Sequence, residues 1–155
     1  MLKYLTLFKF YLFKCRNEEL RVLASMILSL LSTEKEAKDL NESVISLLIT
    51  FLWKSVRNEL PLENKTKWNQ SRRVMIILTL EKMITSDESI IVTLLKLDLL
   101  TLLEQALSAP VEGLIQTQAI LTLLWSLSQD DKALNCMARD TSLLKCSCLI
   151  TFNYF

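Results

Sequence analysis

Apolar residues recur along this chain at three- and four-residue steps, separated by short polar stretches, and that spacing predicts helix after helix. Over residues 18–32, Leu20, Leu23, Ile27, Leu30 and Leu31 fall on one helix face. Over 43–56, Val44, Leu48 and Phe51 join Ile45, Leu52 and Val56 in a wider apolar face. Residues 70–85 carry Val74, Ile77, Leu78 and Ile84 in the same way. The stretch 90–107 is apolar nearly all round, which marks helix covered by neighbours on several sides. Asp98 in its middle is placed to cap a new helix, so two pieces are expected, 90–97 and 99–108. Ser108-Ala109-Pro110 ends the second piece, and 114–128 forms another helix.

Three of these segments share a short core: Ile27-Leu28-Ser29-Leu30, Ile77-Leu78-Thr79-Leu80 and Ile120-Leu121-Thr122-Leu123. The steps between them are 50 and 43 residues. Helical repeats of ~40–47 residues come near both once a loop insertion is allowed. The polar stretch 58–70, with Pro61, houses that insertion. Ala119, then Leu124-Trp125-Ser126-Leu127-Ser128 ahead of the polar turn Gln129-Asp130-Asp131, is more specific. It resembles the third helix of armadillo repeats, which runs Ala, then Leu-Trp-x-Leu-(Ser/Thr) before a polar turn. A fainter likeness surrounds residues 24–32. Leu97-Asp98 replaces the glycine usual between first and second armadillo helices, so armadillo and HEAT types both fit.

The resemblance implies an all-α fold: a right-handed α-α superhelix, a solenoid of about three armadillo/HEAT-like repeats. One domain over 1–155 then divides into units near 33–86 and 87–129, with partial units 1–32 and 130–155 at the ends. The first full unit has helices at 33–40, 41–57 and 70–86, the second at 87–97, 98–108 and 114–128. The ends supply helices at 1–14 and 17–32, then at 130–139 and 141–152.

Composition narrows the chemistry. The 155 residues hold no histidine, one glycine and two prolines, and about one residue in five is leucine. So few turn formers do not build sheets with tight hairpins. Hydrophobic residues make up 51% and charged ones 23%, which is globular rather than disordered. The net charge of +1 creates no strong global field toward nucleic acid or a charged membrane.

Cys15, Cys136, Cys146 and Cys148 lack both disulfide-framework and zinc spacing, so they read as free, buried thiols in a reducing compartment. The expected location is intracellular, in the cytoplasm first, with the nucleus as the alternative. Sequons at Asn41, Asn64 and Asn69 are near chance in a chain this rich in Ser and Thr. No apolar run reaches the ~18–20 uncharged residues of a membrane span. The best one, 90–107, contains Lys96, Asp98 and Glu104. Lys9 interrupts the apolar N-terminal stretch and no small-residue cleavage site follows, which argues against a secretory leader.

No catalytic, cofactor or metal residues emerge. The commonest general base is missing with histidine, and no spacing singles out a Cys/Asp or Lys/Glu pair. Acidic residues at helix starts, Glu18, Asp87, Asp98 and Asp130, are explained by capping and the helix dipole. In peptide-binding armadillo proteins, a Trp and an Asn four residues later line the groove built by third helices. Trp125 and Gln129 have that spacing, while the aligned Ser29/Thr33 and Lys82/Ser86 do not continue a Trp ladder. Packing between repeats is therefore the favoured role of Trp125.

Residues 65–73 combine Lys65, Lys67, Arg72 and Arg73 with Trp68, a mix able to clamp phosphate and stack on a base. An exposed insertion looks the same. Tyr4, Phe8, Phe10, Tyr11 and Phe13 with Lys3, Lys9 and Lys14 have the makings of a membrane-surface helix. Their apolar positions do not keep to one face, so a buried helix lacking its neighbouring repeat is expected instead. The stretch 149–155 is also apolar, and two apolar ends point to a longer array or to self-association.

The functional expectation is a non-catalytic protein-interaction scaffold holding a peptide or helix of a protein partner. Arg21, Ser25, Arg73, Glu81, Lys82, Gln118, Trp125 and Gln129 form its expected surface by helical phase. Nucleic-acid binding through residues 65–73 is the alternative, and a regulatory fragment of a larger protein is a third reading.

Overall fold

A computed structural model describes residues 2–31, 34–57, 59, 67–108, 114–140, 142, 143 and 145, with the side chains of 2–5, 31, 34–39 and 67–70 left aside. The described residues hold eight α-helices and no strand: α1 (Leu2–Lys14), α2 (Glu18–Leu31), α3 (Glu34–Val56), α4 (Lys67–Ser86), α5 (Ile90–Lys96), α6 (Leu99–Ser108), α7 (Leu114–Leu127) and α8 (Asp131–Arg139).

Local chemistry accounts for several boundaries. Asn17 caps α2, its Oδ1 accepting from the Leu20 N–H at 3.1 Å, and Glu18 and Glu19 occupy the electropositive first turn. Asp130 caps α8, its Oδ1 accepting from the Ala133 N–H at 2.9 Å. Asp140 begins a further turn, accepting from the Leu143 N–H at 3.1 Å and the Ser142 hydroxyl at 2.8 Å. Those two bonds, the Leu143 amide foremost, hold its carboxyl below the ordinary value of 3.8.

The break between α5 and α6 has a different cause. Asp98 adopts φ 56°, in the left-handed region that favours glycine. The turn is closed by backbone bonds, Asp98 N–H to Leu95 O and Leu102 N–H to Asp98 O. The expected two helices over 33–57 are instead one, α3. No glycine or proline interrupts it, and Asn41 costs less than about 1 kcal/mol of helix propensity in mid-helix. α4 begins at Lys67, ahead of the expected residue 70. The expected helix at 141–152 lies mostly outside the described residues.

The chain divides within α3 into two compact units, Met1–Phe51 and Leu52–Phe155. In the first, α1 packs on α2. Its core holds Leu12, Val22, Met26, Leu28, Val44, Ile45, Leu48 and Phe51. In the second, α4 packs on α7, and α5, α6 and α8 join them. Ile76, Ile77, Leu80, Leu94, Leu99, Leu102, Leu103, Ile120, Leu123 and Leu127 fill that core.

Burial corrects the expected face of α2. Leu20 and Leu30 are exposed and Leu23 and Ile27 half-buried, while Val22, Ser25, Met26 and Leu28 point inward. An apolar residue stands on almost every side of this helix, so periodicity did not single out the covered side. The three Ile-Leu-(Ser/Thr)-Leu stretches also differ. Ile77, Leu80, Ile120 and Leu123 are buried at the first and fourth positions, whereas in the first stretch Leu28 is buried and Leu30 exposed. The buried positions within the first stretch thus differ from those within the other two.

Candidate functional site

The second unit carries an open cleft of about 480 Å³. Its lining comes from the end of α4 (Glu81, Ile84, Thr85), the turn after it (Glu88), α5 (Ile91), and the end of α7 with the turn beyond (Trp125, Ser126, Gln129, Asp130). Ile84 and Ile91 are buried and form an apolar floor. The Ser126 hydroxyl donates to Glu81 Oε1 at 3.1 Å and ties α7 to α4 across that floor. Three lining residues are acidic, Glu81, Glu88 and Asp130, and none is basic.

Trp125 stands at this cleft with 70% of its surface exposed. That corrects the expectation that it fills packing between repeats. The ring falls on a line of exposed residues along α7, Gln118, Thr122, Trp125 and then Gln129, at four-, three- and four-residue steps. Gln129 turns its Nε2 back to donate to the Trp125 carbonyl at 3.3 Å and to Ser128 Oγ at 3.3 Å. An exposed indole among carboxylates attracts a cation from its face and its surroundings alike.

Of the residues expected at the partner surface, Glu81, Trp125 and Gln129 meet in this cleft. Lys82 and Gln118 are exposed on α4 and α7. The other three need correction. Ser25 is fully buried, its hydroxyl donating to the Arg21 carbonyl at 2.6 Å and to the Val22 carbonyl at 3.1 Å. Arg73 is also buried, Nε donating to Ser55 Oγ at 2.6 Å and Nη2 to the Ser55 carbonyl at 2.7 Å. Arg21 is half-buried, and its Nε donates to the Leu12 carbonyl at 3.0 Å. Leu12 and Ser55 lie in the last turns of α1 and α3, whose carbonyls have no partner inside the helix. Both arginines therefore cap a preceding helix.

The basic cluster is corrected on the same ground. Arg72 and Arg73 are buried at 3% and 8% exposure, on the inward side of α4. Lys65 lies outside the described residues, and only the backbone of Lys67 and Trp68 is described. Cys15 is half-buried and Cys136 exposed, both free, where buried thiols were expected, and Cys146 and Cys148 lie outside the described residues.

Sequence reasoning missed Glu88 and Asp130 as cleft residues, having read Asp130 only as a cap. The available signal was charge: Glu81 and Glu88 are seven residues apart, with Asp130 closely following Trp125. Leu78, on the apolar face that the spacing predicts for α4, is exposed, as is Met75.

A polar cleft of about 470 Å³ in the first unit is lined by Glu18, Arg21, Glu42, Ser43, Ser46, Leu47 and Thr50. Among the described residues, no group of three or more His, Cys, Asp or Glu is arranged to hold a metal. No described helix is long and apolar enough to cross a membrane. No protein-family model, curated protein or solved structure matches this chain.

Proposed function

We propose that this chain is a non-catalytic interaction scaffold of armadillo/HEAT-like solenoid type, and that the cleft beside Trp125 holds an extended segment of a protein partner. The observation that carries this reading is the exposed indole of Trp125 among Glu81, Glu88 and Asp130. Large aromatic surface is normally buried, and an accessible ring in a cleft is a typical anchor for a partner. Three carboxylates favour a segment bearing Lys or Arg, whose aliphatic stem lies on the ring while its charge meets the acids. α4 packed directly on α7 supports stacked repeats, since these are the third helices of successive expected units. Asp98 supports it too, being left-handed where the armadillo pattern has glycine.

Selecting peptides from a displayed random library on the full chain tests the proposal. Enriched peptides should carry Lys or Arg, and W125A/Q129A should weaken them at least about tenfold without lowering the melting temperature. Peptides without cationic preference, or equal loss of binding and folding, would overturn it. The nucleic-acid alternative is weaker, because Arg72 and Arg73 are buried and so withheld from phosphate. An intracellular setting belongs to the same scaffold reading, and a regulatory fragment of a larger protein is a separate one.

A further inference from the structure

Helix α1 presents an apolar face that neither its own unit nor the cleft reading employs. Leu12 is buried beneath it, while Leu7, Phe10, Tyr11 and Phe13 are exposed, Phe10 by 59% and Phe13 by 55%. Leu7, Phe10, Tyr11 and Lys14 follow the three- and four-residue steps of one face, with Phe13 beside them. The apolar positions of α1, which the spacing alone leaves scattered, thus sort into a covered side at Leu12 and an aromatic outer side.

Charge points to what covers the outer side. Residues 1–16 contain Lys3, Lys9, Lys14 and Arg16, and all 17 Asp and Glu of the chain lie beyond them. Glu18 and Glu19, the first carboxylates, begin α2. A second copy laid face to face on α1 would bring two cationic helices together, which costs like-charge repulsion. An anionic bilayer surface answers both features at once. Aromatic rings settle at the headgroup boundary, and lysine stems lie along them while the ammonium groups reach lipid phosphates and carboxylates.

We propose that the outer face of α1 docks on the surface of an anionic lipid bilayer, lying along it rather than crossing it. Neutral phosphatidylcholine vesicles and vesicles with about 30% phosphatidylserine, each at ~0.05 M and ~0.5 M salt, would be floated with the full chain. The chain should bind the anionic vesicles at low salt, with binding at least about tenfold weaker at high salt or on neutral lipid. F10S/F13S should lose at least about tenfold in affinity with an unchanged helical melt, since both rings already face solvent. Lys9→Gln with Lys14→Gln should lower anionic binding without touching the rings, which covers the case in which the first variant misfolds. No flotation with anionic vesicles, equal flotation with neutral ones, or binding indifferent to both double variants would overturn the proposal. A wild-type dimer that F10S/F13S turns into a monomer, with no vesicle binding, would overturn it in favour of self-association.

Discussion

At residue scale, the positions that matter most are those where one side chain answers a backbone demand. Asp98 holds φ 56° at the α5–α6 turn, a conformation disfavoured for residues bearing a Cβ, though less for Asp than for most. Asp98→Gly should raise stability by about 0.5–1 kcal/mol, partly offset by the freer unfolded chain. Asp98→Val should lower it by about 1–2 kcal/mol. Paired denaturant titrations read both, and a less stable glycine variant would show that the Asp side chain contributes more than the φ it tolerates. Trp125 poses the opposite case, an expensive apolar surface left open. Its spacing to Gln129 is visible in the sequence, but the acidic company of Glu88 and Asp130 required the turns that bring them near.

At the scale of elements, helix ends are finished by side chains from the next helix. Arg73 of α4 satisfies the Ser55 carbonyl in the last turn of α3, as Arg21 of α2 does the Leu12 carbonyl of α1. Arg73→Ala would leave Ser55 Oγ and its carbonyl without a donor at a buried site, so a loss of about 1.5–3 kcal/mol is expected. Hydrogen exchange should then quicken in the last turn of α3. An Arg73→Ala variant as stable as wild type would show that water replaces the guanidinium there. Among the described residues, helix existence was legible because the apolar steps are strong. The joining of 33–40 and 41–57 into α3 was not, because no glycine or proline marks a break between them and Asn41 is tolerated in mid-helix.

At the scale of the whole molecule, each unit encloses a core of its own, and one substitution pair tests the core of the second. Leu123 is fully buried in α7, whereas Leu121, two residues before it, is half-buried. Leu123→Ala should cost roughly 2–5 kcal/mol and Leu121→Ala distinctly less. Equal losses in thermal melts would place the α4–α7 packing at a different rotation. Apolar spacing alone does not separate the two leucines, since each lies on an apolar side of a helix with apolar residues on most sides.

By itself the sequence determined that the described chain is helical, where most helices begin and end, and the cap that Asp130 provides to α8. These follow from local forces: apolar spacing, N-cap oxygens, and the scarcity of glycine and proline. Tertiary structure alone decided which apolar faces are covered. It buried Ser25, Arg72 and Arg73, exposed Trp125, Leu20 and Leu30, and gathered Glu81, Glu88 and Asp130 around one cleft. In helices apolar on several sides, the choice of face depends on where neighbours stand, and that is a property of contacts between elements distant in sequence.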